Sequence, residues 1–253
     1  MSKYIGGYRF CQNKITYQRK EEDIIEELAY SFHLGSDKNK KSKIRLSAKN
    51  NRSGTTSLSN NAIQNAQTLS RIDKHNYRKY DNDQEDIVII KGSSSIVDDV
   101  KELYKKEFEK ARIEYNEKQV RDDRKINDYF THISNNAKND LACEVIIELG
   151  DKKYWDTKDD DYKRKMTNIY EKQVEDLENV VPSFKITSAI IHYDETSSHL
   201  HIVGVPIKEG NINGMSKQVG KTAIFTKDSL KVIQDKMREL CIESFNNEYG
   251  LDD

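Results

Sequence analysis

The stretch from His192 to His201, His-Tyr-Asp-Glu-Thr-Ser-Ser-His-Leu-His, constrains the fold of this chain more than any other segment. It joins two apolar runs that read as strands over 184–192 and 199–207. A parallel crossover needs about a dozen residues or more, so a link this short dictates antiparallel pairing. His199 and His201 are two apart, and on a strand their side chains leave the same face. His192 ends the preceding strand, and a tight connection through Thr196, Ser197 and Ser198 brings it level with them. Three of the chain's six histidines thus converge. A His-x-His pair alone is weak evidence. Three histidines with Asp194 and Glu195 between them point to a divalent-metal site on His192, His199 and His201. Open coordination positions would admit a substrate oxygen, which favours chemistry over scaffolding.

The other elements follow from periodicity. Helices are predicted over 21–33, 59–70, 98–130, 159–179 and 228–247. Further strands are predicted over 43–48, 86–90 and 141–149, with a short extended piece over 222–225. Residues 49–57 read as a loop. Strands alternate irregularly with long helices, which places the chain in the α+β class: a central antiparallel sheet covered by helices.

With 253 residues, 34% of them charged, the chain can bury a sizeable core and remains highly polar. No apolar run approaches a membrane span, and the N-terminus lacks a signal-peptide core. Cys11, Cys143 and Cys241 are few and far apart, which points to reduced thiols and a cytoplasmic setting. The net charge of −1 announces no polyanion partner. Between Lys38 and Lys91, however, twelve Lys/Arg face five Asp/Glu, an excess of seven. Such asymmetry suits a phosphate-binding face, although a solvated lysine-rich surface reads the same way.

Inside that basic region stands Lys74-His-Asn-Tyr-Arg-Lys-Tyr80. Alone it would pass for an exposed turn. Together with the distal histidines it resembles the Mob/Pre relaxases, the mobilisation and plasmid recombination proteins of the HUH endonuclease class. Their HNxR motif is matched by His75, Asn76, Tyr77 and Arg78. Their HxDExxPHxH motif is matched by His192, Asp194, Glu195, His199 and His201. Segments 115–130 and 142–150 are also similar to the family. Ser198 stands where the family prefers proline, which predicts a looser turn. The resemblance runs from about Lys43 onward, which implies an N-terminal extension with a short helix over 1–42 and a catalytic domain over 43–253.

The resemblance implies site- and strand-specific nicking and strand transfer of single-stranded or hairpin DNA at a plasmid transfer origin in a bacterial cytoplasm, with accessory transfer proteins as possible partners. It implies His75 as nucleophile, forming a phosphoramidate with the 5′ end, and makes Tyr80 and Tyr77 the rivals. Neutral imidazole is a competent nucleophile near pH 7. Glu195 would fix the tautomer of His75, and Arg78 would grip a phosphate oxygen. Asp194 would orient a ligand imidazole or cap the turn. Imidazole donors on a phosphate substrate favour Mn²⁺, with Mg²⁺, Co²⁺ or Zn²⁺ as alternatives. Arg45, Lys49, Arg52, Arg71, Lys74, Asn76 and Lys79 are the candidate DNA contacts, with Lys217 and Lys221 beyond them; His33 and His132 read as ordinary residues. Three other readings stay open: an HUH-type rolling-circle replication initiator, a three-histidine metal hydrolase of small molecules, and a DNA-binding plasmid-control protein with a structural metal.

Overall fold

Long β-branched runs and amphipathic stretches give ten strands and eight α-helices in the computed structural model, which describes residues 4–5, 8–9, 14–18, 25–34, 62–80, 86–136 and 138–250. The chain begins with β1 (Tyr4–Ile5), β2 (Tyr8–Arg9), β3 (Lys14–Gln18) and β4 (Ile25–Leu34). It continues through β5 (Ala62–Ile63), α1 (Ala66–Asn76), β6 (Ile87–Lys91), α2 (Ile96–Glu117) and α3 (Tyr129–Ser134). Next come β7 (Ala142–Leu149), α4 (Lys152–Trp155), α5 (Asp160–Arg164) and α6 (Met166–Val180). The hairpin β8 (Phe184–His192) and β9 (His199–Glu209) follows, then β10 (Lys217–Val219), α7 (Lys221–Ile224) and α8 (Lys227–Tyr249).

The main sheet runs β3-β4-β7-β9-β8-β6, with β10 on β9 and β5 on β7, and every pairing is antiparallel. On one face Val145, Ile147 and Leu149 of β7 and Leu200 and Ile202 of β9 pack with Tyr170 and Leu177 of α6 and Met237 and Phe245 of α8. On the other, Ile190, Val203 and Val205 pack with Leu69 of α1, Val100 and Phe108 of α2, and Phe130 of α3. The result is the expected α+β sheet, covered by helices on both faces.

Several expected elements are corrected. The helix over 21–33 is the strand β4. Tyr30, Phe32 and Leu34 alternate inward on it and pair across to β7, so the segment assigned to an extension supplies a strand of the sheet. The helix over 98–130 stops at Glu117. There the Asn116 side chain both donates to the Ile126 carbonyl (2.9 Å) and accepts from its N–H (2.8 Å), folding the chain back. The helix over 59–70 starts later, where Asn65 and Thr68 form a capping box, and it runs on through His75 and Asn76. The helix over 159–179 is split into α5 and α6, and residues 221–224 are a helical turn instead of an extended piece. The expected strand over 43–48 and loop over 49–57 lie outside the described residues.

Candidate functional site

Sheet register builds the floor of the site. Residues opposite each other in antiparallel strands share a face. Ser31, Glu148, His199 and His192 are successive partners across β4, β7, β9 and β8. Ile146, His201 and Ile190 form the next row. The two strands therefore present His192, His199 and His201 on one face, as their spacing predicts.

α1 brings the second motif to that face. Its end is a Schellman motif: the Arg78 N–H bonds the His75 carbonyl (3.1 Å) and the Lys79 N–H bonds the Lys74 carbonyl (2.9 Å). Arg78 occupies the left-handed position at φ 49°, where glycine is the usual residue. Holding an arginine there costs about 1–2 kcal/mol. The helix is fastened by Asp73, which accepts from the Ile96 N–H at the start of α2 (2.7 Å) and from Lys79 Nζ (2.8 Å).

The His75 ring lies 5.5 Å from the His192 ring and 5.5 Å from the His201 ring, and those two are 4.2 Å apart. Donor atoms of His75, His192, Glu195 and His201 all fall within 4.8 Å of one another. His199 stands aside, its ring 6.3 Å from His201. Its Nε2 is 3.4 Å from Glu148 Oε1 and its Nδ1 3.2 Å from Glu195 Oε2.

Hydrogen bonds fix which nitrogens face inward. His192 Nε2 donates to the Asn76 carbonyl (2.9 Å), so its Nδ1 keeps a lone pair. His201 Nδ1 donates to Glu144 Oε1 (3.0 Å), which leaves the lone pair on Nε2. Asn76 Nδ2 donates to the same Glu144 oxygen (3.1 Å). His192 Nδ1 and His201 Nε2 are buried and have no hydrogen-bond partner. A buried polar atom left so costs about 1–3 kcal/mol. A divalent cation would satisfy both, and the donor set of imidazoles and a carboxylate fits one.

Arg78 ties the two motifs together. Its Nε and Nη2 fork onto Asp194 (2.7 Å each), Nη2 also reaches Glu195 Oε1 (2.7 Å), and Nη1 donates to the His75 carbonyl (3.3 Å). Asp194 thus grips Arg78, not an imidazole, and most of the guanidinium is committed within the protein instead of facing outward for phosphate.

The charges follow from these contacts. Burial, assisted by His192 and Arg78, lowers His75 below the ordinary imidazole value. Burial also lowers His201, against the pull of Glu144. Burial opposes charge on His199, but Glu148 and Glu195 outweigh it and push His199 up to about 9. The neighbouring His192 and His199 rings, with Arg78, hold the Glu195 carboxyl far below the usual carboxylate range.

The remaining expected residues divide. Arg71 and Lys74 are exposed on α1. Lys79 is tethered to Asp73 and to the Ser94 carbonyl (2.7 Å). Asn76 is fully buried and cannot be a DNA contact; it orients Glu144 and receives His192. Arg45, Lys49 and Arg52 lie outside the described residues. The Tyr77 ring is buried, its hydroxyl donates to the Ser93 carbonyl, and burial pushes its pKa up to about 12. Tyr80 is half exposed. Lys217 is paired with Glu107 (2.5 Å) and Lys221 with Asp140 (2.6 Å). His33 lies on β4 opposite Ile146, and His132 stacks on Tyr129. Ser198 does not hang loose, since the Tyr170 hydroxyl donates to its carbonyl (2.8 Å).

The model of the plasmid recombination enzyme family, Mob/Pre, matches residues 61–252. The chain belongs to that family. Among solved structures it is similar to the MobM relaxase domain (MOBV; Mob/Pre) bound to a 22-nucleotide plasmid pMV158 oriT DNA, in a manganese-bound crystal structure at pH 5.5. Identity is 21% and TM-score 0.47, over 71% of this chain and 81% of that one. It is also similar to the same domain bound to 26-nucleotide oriT DNA, with 20% identity and TM-score 0.42, over 72% and 82%. No curated protein matches the chain. No described helix is long and apolar enough to cross a membrane.

Two residues of this Mob/Pre site escaped sequence reasoning. Glu144 and Glu148 sit four apart on β7, facing the histidines. The signal was present: two carboxylates on one face of an otherwise apolar strand, beside a polar turn. Glu148 also accepts from Ser197 Oγ (2.7 Å), which locks the turn before His199.

Proposed function

We propose that this Mob/Pre enzyme is a relaxase that nicks one strand of DNA at a plasmid transfer origin and keeps the 5′-phosphate on His75. One observation carries this reading. His75, more than a hundred residues from the hairpin in sequence, sits 5.5 Å from both His192 and His201.

The chemistry assigned to each residue is as follows. A His75 ring nitrogen attacks the scissile phosphorus, an N–P bond forms, and the P–O3′ bond breaks. The 3′-oxygen leaves and takes up a proton. Attack by a 3′-hydroxyl on the same phosphorus reverses the step and transfers the strand. The lowered pKa of His75 keeps the attacking imidazole neutral. Arg78 fixes the approach of α1 by holding Asp194 and Glu195, and Glu195 brings its charge among the imidazoles. His192, His199 and His201 would hold a divalent ion, each oriented by a neighbour: the Asn76 carbonyl, Glu148 and Glu144 respectively. A bound ion supplies Lewis-acid neutralisation of charge on the phosphate. Mn²⁺ is our assignment, since the imidazole–carboxylate donor set suits it and the MobM crystal structure at pH 5.5 is manganese-bound. The DNA is single-stranded or a hairpin, Arg71 and Lys74 contact its backbone, and the enzyme acts in the bacterial cytoplasm. Residues 43–253 form the catalytic unit, with β4 an added strand.

A second reading has an observation of its own. His75 lies closer to the donor cluster than His199 does, which suits a ligand role for His75 and makes the half-exposed Tyr80 the nucleophile. Incubation with Mn²⁺ and labelled single strands spanning the origin of the host plasmid separates them. An acid-labile protein–DNA adduct lost in His75→Ala supports the first. An acid-stable adduct that persists in His75→Ala and is lost in Tyr80→Phe moves the role to tyrosine. Absence of any adduct rejects both.

A further inference from the structure

α6 lies across the sheet from the histidines. Its Tyr170 belongs to the core formed with Ile191 and Leu200, whereas His201 shares the opposite face with Ile190. From there the helix still reaches the turn that joins β8 to β9. The Tyr170 hydroxyl donates to the Ser198 carbonyl (2.8 Å) and lies 3.1 Å from Ser198 Oγ. One helical turn earlier, Thr167 Oγ1 bonds the Tyr193 hydroxyl (2.8 Å). The two turn residues held in this way are the one directly after His192 and the one directly before His199. We propose that Tyr170 is a positioning residue of the metal centre, holding from behind the peptide plane that carries His199 into it; this rests on the reading of His192, His199 and His201 as metal ligands.

Three observations carry the inference. The first is covalent geometry. The Ser198 carbonyl belongs to the planar peptide unit that contains the nitrogen and Cα of His199. Fixing that oxygen fixes the direction in which the His199 side chain departs. The second is need. The His192 and His201 rings are 4.2 Å apart, whereas His199 stands 6.3 Å from His201 and outside the four-donor cluster. His199 is therefore the ligand that depends most on how the backbone delivers it, and a metal site needs its donors placed to within about 0.5 Å. Glu148 serves the same end on the histidine face: it accepts from Ser197 Oγ (2.7 Å) and lies 3.4 Å from His199 Nε2. Tyr170 closes the clamp from the other face. The third is the choice of side chain. Among the described residues Tyr170 is the largest fully buried side chain, and it sits with Met166, Ile169, Val174 and Leu177 on the buried side of α6. Phenylalanine would fill that space equally well. What tyrosine adds is one hydroxyl, and it is directed at Ser198.

The test compares two buried hydroxyls that meet α6. Tyr30 is also buried, and its hydroxyl donates to Gln173 Oε1 (3.1 Å), three residues beyond Tyr170, in a bond that does not involve the turn. Mn²⁺ binding is measured by calorimetry on the full chain, and amide exchange is followed in the metal-free protein. Tyr170→Phe should weaken Mn²⁺ binding about tenfold and speed exchange at residues 196–199. Its nicking rate at saturating Mn²⁺ should return close to the native value, because the hydroxyl touches no reacting atom. Tyr30→Phe should lower the melting temperature comparably and leave Mn²⁺ affinity native. Native Mn²⁺ affinity in Tyr170→Phe overturns the proposal, and so does an equal loss in both variants, which would reflect loosened packing of α6. If the native enzyme binds no Mn²⁺ at all, the ligand reading itself fails and takes this inference with it.

Discussion

The β8–β9 hairpin and the end of α1 reach the same spot by different routes. The hairpin places His192 opposite His199 through register alone, with nothing between the strands but six residues of turn. The end of α1 arrives by packing: Asp73 docks it on α2, Arg78 docks it on the turn, and Asn76 plugs it into β7. Local spacing thus sets the histidine face of the hairpin, and long-range packing sets what stands over it. The first should survive substitutions that disable the second.

His75→Ala is the widest break in that symmetry. It should abolish the adduct while Mn²⁺ affinity, followed by calorimetry, stays near the native value. Loss of both together would make His75 part of the hairpin's ligand set. Glu144→Gln comes next. Glu144 is fully buried and holds His201 from behind, and removal of such a partner typically costs 10–100-fold in metal affinity. Because Asn76 bonds the same oxygen, a shift of α1 should accompany the loss, visible as faster amide exchange at residues 74–78.

Arg78→Gly sharpens the comparison in another way. Glycine relieves the left-handed backbone by about 1–2 kcal/mol but leaves Asp194 and Glu195 without their partner, at about 1.5–3 kcal/mol for charged hydrogen bonds. The melting temperature should therefore move little, while nicking falls steeply. Arg78→Lys keeps the charge but loses the fork and should nick poorly as well. The effect of pH is smaller. His75 is depressed below about 6.5, so it is already neutral at pH 7. The single-turnover rate should be flat around neutrality and fall only as acid protonates the ring. A rate still climbing from pH 7 to 9 would contradict that. Smallest of all is Tyr77→Phe, expected to cost about 1 kcal/mol of stability and to leave the adduct intact.

These two routes also explain what could be read in the sequence. The hairpin was legible nearly to the residue, because apolar runs bounded by histidines leave one pairing. The α+β class followed from it. β4 was misread because Ile25, Leu28, Ala29 and Phe32 fit a helical stripe while Tyr30, Phe32 and Leu34 fit alternation. The free edge of β7 decides between them, and that edge is more than a hundred residues away. Glu144, Glu148 and the buried Asn76 were missed or misassigned for the same reason, since their partners lie on other elements. The expected DNA contacts rested on charge counts, which do not show that Lys79 is already engaged.

β4 has one more consequence. Its five paired residues, Tyr30 to Leu34, cover the rim of β7. A protein trimmed to residues 43–253 would keep every motif histidine, yet bare a hydrogen-bonding ribbon of Val145 to Leu149. Uncovered rims of that kind recruit other chains. Such a shortened enzyme should self-associate through β7, in proportion to its concentration.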